Sequence, residues 1–523
     1  MNTNTLTSHL FVAGATGTGK SNFCYHMIDQ LVGTGIKTLI IEPAKGEYRK
    51  VFGGREDFRV YGTNLKLTPP LRINPFAFPD GITASEHIER LMSIFCAAWP
   101  MYSAMPAIMK DALEAIYRDK GFDDIWGELP EGGSFPTFSD LLDKLPQIIQ
   151  ESKYSQEVQG NYIGALVTRV KSLTNGIYSI LFTENELSNH ELFDENTIVD
   201  ISRIGSEETK ALIMGILITR LEEYRSCSGL MNSSLRHITV LEEAHHLLGS
   251  HGSTQSQDFG NMRGASIEMI NNAIREMRTY GEGFVIADQS PSAIDGSVIS
   301  NTQTKVFFMM PAREDRAIVG DVASLSEKQK SEIVKLPRGV AMVWQNEWTD
   351  ALLCKIRFFS PDRYQPFSYP IDVQSVSRDL LTMAVRLLLH ERKKAPNEVN
   401  KELQALTSEQ IEYGCLALGS KGSLVWDIIK MYATPNNVNT FSVQELQRAL
   451  NQLLDFTTHM KRCRQAEDIS QWTRSMECCI RNQVDLSEDQ IREAITVLLH
   501  YHTTLDSDVY RKLYIAYLSY ITD

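Results

Sequence analysis

The sequence predicts an α/β fold. It would be a mostly parallel sheet with crossover helices, an α-helical insertion and an all-helical C-terminal domain. Three observations carry that expectation. Short apolar, β-branched runs bounded by turn residues recur up to residue 360, with helical patterns between many of them. A glycine-rich loop sits between the first of these runs and a helix-like stretch. From residue 361 onwards the pattern is helical only.

The first run, Leu10-Phe11-Val12-Ala13, leads straight into Gly14-Ala15-Thr16-Gly17-Thr18-Gly19-Lys20-Ser21 and then Asn22. This strand, glycine loop and helix order is what a phosphate cradle requires. The glycines let successive backbone N–H groups curl around a β-phosphate, and the helix N-terminus adds its positive end. Lys20 is placed to reach the β- and γ-phosphates, and the Ser21 hydroxyl to hold Mg²⁺. Residues 14–22 are therefore the candidate nucleotide-binding set, with ATP and Mg²⁺ as the expected ligands.

Further buried parallel strands are expected at 38–41, 197–201, 237–241, 284–287, 305–309 and 340–344, with helices at 207–225 and 266–280. Between 84 and 189 the pattern turns mostly helical, so the core is expected from 1–83 and 190–360, interrupted by a helical insertion. Residues 361–523 form the expected C-terminal helical domain, with a charged break at 390–396. Ligands of a doubly wound sheet bind at the carboxyl ends of its strands, where the glycine loop already lies.

The strand expected at 237–241 ends in Glu242 and Glu243. A pair of acids there suits a magnesium-orienting carboxylate followed by a general base for a lytic water. Glu242 takes the first role and Glu243 the second. The usual first acid is Asp; the extra methylene of Glu242 pushes its carboxylate further out, which an outer contact to the metal tolerates. Gln289 follows the strand expected at 284–287. It is either a polar strand-end residue or a sensor touching both the γ-phosphate and the loop beyond. Arg275 and Arg278 lie three apart on a helical pattern, hence on one face. Arg278 reads equally as a finger acting on a neighbour's γ-phosphate or as a surface arginine, and Arg275 as the latter.

Composition excludes several classes. The 523 residues, 43% hydrophobic and 22% charged, suit a globular chain of several domains. No apolar run is long enough to span a bilayer, and residues 1–5 lack the regions of a signal peptide. The eight cysteines are scattered, which predicts a reduced, cytoplasmic protein without a disulfide framework or zinc ribbon. The net charge of −13 argues against a broadly basic surface for wrapping nucleic acid. A ring lining its pore with a few cations remains compatible with it. Adjacent His245 and His246 are poorly spaced for one metal ion. The loop 419–423 lacks the lysine ending of a second phosphate cradle, and the basic run 461–464 reads as a solvated helix face.

Taken together, these motifs resemble the HerA-like ATPases of the HerA/FtsK branch. The matching residues are 14–21, the stretch Glu42-Pro43-Ala44-Lys45-Gly46-Glu47-Tyr48, residues 71–76, Glu242-Glu243-Ala244-His245, Arg278-Thr279-Tyr280-Gly281 and Asp288-Gln289-Ser290-Pro291-Ser292. The likeness covers about 8–79 and 190–359. It implies a RecA-like core and a homo-oligomeric, hexameric ring that moves double-stranded DNA with ATP and Mg²⁺. It also implies nucleotide contacts from Lys20 and Ser21, water activation by Glu243, sensing by Gln289 and Arg278 acting in trans. Relatives pair with a nuclease, or serve in anti-phage defence beside a nuclease or a sirtuin-like NAD hydrolase.

Three departures stand out. The glycine loop at residue 14 leaves no room in this sequence for the family's N-terminal β-barrel. Glu stands at 42 and 242 where Asp is usual, and Asp288 precedes the sensor where a small or apolar residue is usual. In a ring of this type the loop from 249 to Arg263 and Gly264 would face the pore, with Arg263 and Lys305 as nearby cations; a surface loop is the alternative. The expectation is a DNA motor. Its rival is an ATP-gated scaffold that assembles an effector. A conjugative coupling protein is disfavoured by the missing membrane helices.

Overall fold

The computed structural model describes residues 3–123, 127, 129–249, 257–369, 371–389, 395–433, 442–463, 466, 468–505 and 507–522. The chain divides into two compact units, Met1–Ser368 and Tyr369–Asp523.

The first unit is built on a nine-stranded sheet of order β3-β4-β2-β5-β6-β1-β7-β8-β9. The strands are β1 (Leu10–Ala13), β2 (Lys37–Glu42), β3 (Phe58–Gly62), β4 (Asn196–Asp200), β5 (His237–Glu242), β6 (Glu282–Asp288), β7 (Thr304–Phe307), β8 (Val340–Gln345) and β9 (Leu352–Lys355). Strands β1 to β7 pair in parallel, while β8 and β9 return antiparallel. The expected α/β sheet with helical additions is therefore present.

Successive residues of a strand point to opposite faces. Leu10 and Val12 accordingly join the hydrophobic cluster of one layer, with Cys24 and Ile28 of α1 (Lys20–Gly33) and Phe52 of α2 (Glu47–Phe52). Phe11 and Ala13 join the cluster of the other layer. Helix α3 (Ala84–Ala98) and the helix Glu207–Ser226 belong to that second layer. They approach closely: a Cβ at Gly215 would come within 2.7 Å of Ile94 Cγ2. The helices of 84–189 thus share one continuous core with the sheet, including Leu91, Phe95, Leu141 and Leu166.

Strands β3 and β9 were not expected from the sequence. Both lie on the sheet's edges. Leu352 and Leu353 of β9 are 52% and 64% exposed, so this strand lacks the buried apolar run by which the others are recognised.

The second unit is helical and has its own core, in which Leu380, Ile428, Leu450, Met476, Ile495 and Tyr517 are fully buried. Residues Gly419–Lys421 form a short 3₁₀ turn, and Lys461 and Arg462 end the helix Phe456–Arg462. Residues 250–256 of the expected pore loop and 390–394 of the charged break lie outside the described residues. Among the described residues, no helix is long and apolar enough to cross a membrane.

Candidate nucleotide site

The sheet order places β1 between β6 and β7, with β5 on the far side of β6. Register then aligns the strand ends: Ala13 pairs with Asp288, and Glu242 with Ala287. The glycine loop, the acid pair and Gln289 consequently leave the sheet side by side.

The glycine loop is held tightly from below. A Cβ on Gly14 would sit 2.5 Å from Phe308 Cβ, so no other residue fits there without movement. Ala15 N donates to Met309 O at 2.9 Å, and Gly339 N donates to Thr18 O at 2.8 Å. Lys20 Nζ donates to Gly14 O at 2.7 Å, which curls its side chain across the loop. Burial lowers the Lys20 pKa, against the raising influence of Glu242, Glu243 and Asp288.

Asn22 is a clamp. Its Nδ2 donates to Arg357 O at 2.8 Å and its Oδ1 accepts from Phe359 N at 2.7 Å. This draws Phe358 and Phe359 to the rim of a cleft of about 520 Å³, lined also by Lys20, Ser21, Tyr48, Glu242, Glu243, Gln289 and Arg338.

The two Glu-for-Asp positions acquire a physical account. Glu42 folds over the start of α2, accepting from Glu47 N at 2.6 Å and Tyr48 N at 3.0 Å. Carboxylates are favoured at helix N-termini, yet burial dominates and pushes Glu42 up to about 8. The fully buried Tyr48 then donates its hydroxyl to Glu242 Oε1. Burial raises the Glu242 pKa, with Tyr48 and Lys20 opposing it.

Glu243 takes a left-handed backbone, φ +44°, uncommon for a non-glycine residue. Its Oε1 accepts from Gln289 Nε2 at 2.6 Å, and Gln289 Oε1 accepts from Thr16 Oγ1 at 2.7 Å. One amide thus bridges the glycine loop and the second acid. Asp288, which is buried, accepts from His245 N at 2.9 Å and pairs with His245 Nδ1 at 2.8 Å. That bond holds the His245 pKa above its usual value. Neighbouring His246 turns away to pair with Glu207.

The structure therefore gathers residues 14–21, Glu242, Glu243 and Gln289 around one cleft. It does not bring Arg278 there. Arg278 is exposed on the 3₁₀ turn Met277–Tyr280, before the amino end of β6, whereas the cleft lies at the carboxyl ends. Lys305 is corrected: it is no pore cation. It is only 2% exposed, donates to Thr302 O, lies 5.0 Å from the Trp344 ring, and burial lowers its pKa to about 8. Arg263 is half-buried on the helix Gln257–Glu276. Sequence reasoning gave no role to Tyr48, His245, Arg338 or Phe358. Only Tyr48 and His245 had a signal, as parts of the motifs quoted above.

The family described as the central domain of helicase HerA matches residues 1–221. The DNA double-strand break repair helicase HerA of Sulfolobus acidocaldarius is 23% identical over 66% of this chain, and that of Sulfurisphaera tokodaii 22% over 66%. The chain spans 63% of the length of each of these two relatives. Among solved structures, VirB4 of Thermoanaerobacter pseudethanolicus superposes with a TM-score of 0.52 at 18% identity, covering 68% of this chain and 91% of that one. The bacterial conjugative coupling protein TrwBdeltaN70 gives 0.50 at 12%, covering 69% and 88%. These two likenesses concern the fold alone. The glycine loop, acid pair and bridging glutamine converge on one cleft, and the HerA central domain matches the part of the chain that holds the glycine loop and β1 to β4; on both counts the chain is similar to the HerA-like P-loop ATPases.

Proposed function

We propose that this chain is the motor subunit of a DNA-processing assembly, a homo-oligomeric and hexameric ring that couples ATP hydrolysis to movement of double-stranded DNA. The observation that carries this reading is the hydrogen-bonded series Thr16, Gln289, Glu243. It joins the phosphate cradle to the acid through a residue whose loop continues away from the cleft. A change at the γ-phosphate must disturb that amide first. The names of the two curated relatives, both DNA repair helicases, support DNA as the substrate.

In this reading, backbone N–H groups of 14–19, with Lys20, hold the β- and γ-phosphates. Ser21 and Glu242 offer oxygen donors to the same cleft, a hard set that fits Mg²⁺. Glu242, bonded to Tyr48, would meet the ion through water. The ion supplies charge neutralisation on the phosphates. Glu243 takes the proton of a water attacking the γ-phosphate directly, and Gln289 registers the phosphate's loss. Arg278, exposed and remote from its own cleft, would serve the neighbouring subunit's site.

The assembly would work in the cytoplasm, in keeping with eight free cysteines, and beside a nuclease or a sirtuin-like NAD-hydrolase effector in anti-phage defence. The net charge of −13 favours a second reading, an ATP-gated scaffold that licenses such an effector without processive movement. Triplex displacement decides between them. A motor displaces the third strand and its ATPase is stimulated by double-stranded DNA; a scaffold does neither while still assembling with nucleotide.

A further inference from the structure

Glu243 leaves β5 in a left-handed conformation that L side chains rarely adopt, so something must hold it there. The restraint comes from the neighbouring strand. Asp288, the last residue of β6, is 2% exposed and uses both carboxylate oxygens. Oδ2 accepts from His245 N at 2.9 Å and faces His245 Nδ1 at 2.8 Å. Oδ1 accepts from Gln289 N at 2.7 Å and Ser290 N at 3.2 Å. A single buried carboxylate therefore ties the turn that bears Glu243 to the loop that bears Gln289.

His245 closes the arrangement. Its Nδ1 also lies 3.6 Å from Glu243 Oε2, while the other oxygen, Oε1, takes Gln289 Nε2 at 2.6 Å. The Glu243 carboxylate thus lies between Gln289, which donates to it, and the edge of the His245 ring, whose Nδ1 is bonded to Asp288. A small apolar residue at 288 could fasten neither turn. Glu243, His245 and Asp288 do present ligand atoms within 4.8 Å of one another. However, both Asp288 oxygens and His245 Nδ1 are already committed to one another and to backbone N–H groups. The same atoms serve better as a brace than as a cage for an ion.

We propose that His245 and Asp288 are positioning residues for Glu243: Asp288 locks the turn and the imidazole, and the imidazole, held against the carboxylate that activates water, limits where that carboxylate can swing. The inference rests on the reading of Glu243 as the base. A proton acceptor must lie within hydrogen-bond reach of the water it activates, so a loosened carboxylate slows the chemical step while leaving the phosphate cradle intact.

The test uses the full-length chain, steady-state ATP hydrolysis and binding of a fluorescent ATP analogue. His245→Ala is expected to lower kcat roughly 10- to 100-fold with KM for ATP and analogue binding within about 2-fold. His245→Asn places an amide donor near the Nδ1 position and should recover kcat to within about 3-fold of the parent. Asp288→Ala should repeat the His245→Ala kinetics. His245 is only partly buried, so its two variants carry the test even where Asp288→Ala folds poorly. The inference is overturned by parental kcat in His245→Ala, by a kcat loss matched by a loss of analogue binding, or by an Asn variant no better than Ala. Glu243→Gln separates the two levels. Normal turnover there removes the base assignment itself, whereas an inactive Glu243→Gln beside a fully active His245→Ala removes only the brace.

Discussion

Tyr48 donates its buried phenol to Glu242, joining residues 194 positions apart at the floor of the cleft. The bond gives the longer acid a fixed place, since a Glu at the end of β5 would otherwise choose among several rotamers. Tyr48→Phe removes that donor and leaves a buried carboxylate oxygen unpaired. The expected result is a stability loss of about 1–3 kcal/mol. A several-fold higher Mg²⁺ concentration should also be needed for half-maximal hydrolysis. Urea melts and a magnesium titration of ATPase rate check the two effects.

Lys20 and Glu243 should fail in different ways. Lys20→Ala is expected to abolish nucleotide binding, because the residue supplies the one lysine of the cradle. Glu243→Gln should retain ATP yet lower turnover by about 10²- to 10⁴-fold. A fluorescent nucleotide titration paired with phosphate release distinguishes them. Normal turnover in either variant would overturn that residue's assignment.

Arg278 lies before the amino end of β6, away from its own cleft. Arg278→Ala should therefore leave nucleotide binding by the subunit unchanged and lower kcat of the assembled oligomer by about 10³-fold or more. Mixing the Arg278 variant with Glu243→Gln subunits should restore part of the activity where the two intact groups meet. An oligomer of Arg278→Ala that hydrolyses at the parental rate removes the finger.

His9 offers a stability test unconnected with catalysis. Burial lowers its pKa from 6.5 to about 4, and its Nδ1 accepts from Phe284 N at 3.1 Å. Below 6.5 the unfolded chain binds a proton that the folded one refuses. The contribution is thus full above that pH and is lost as pH falls towards 4, by about 3 kcal/mol in all. His9→Asn keeps an acceptor and tolerates the left-handed φ of +63° at this position. Urea midpoints at pH 7 and pH 4.5 should diverge less in the variant than in the parent. Equal divergence would show that His9 is protonated in the folded state.

The buried strands were legible because β-branched apolar runs have few other uses. The edge strands were not: β3 carries exposed Arg59, and β9 is mostly exposed, so neither reads as core. The helices of 84–189 were legible as helices. Their fusion with the sheet's core was not, because periodicity gives the apolar face but not what covers it. In the site, the glycine loop and the acid pair are local in sequence and could be read directly. The Tyr48–Glu242 and His245–Asp288 bonds arise from strand adjacency, and no spacing along the chain announces them.

The Asn22 amide has a mechanical consequence. It stands one residue beyond Ser21, on the first turn of α1, and both its ends grip the chain at Arg357 and Phe359. Any tilt of that turn as phosphate arrives or departs must pull residues 357–359 with it. Those residues begin the stretch that runs out of the first unit at Ser368. The closing segment of the first unit is therefore fastened, where it begins, to the helix that follows the glycine loop.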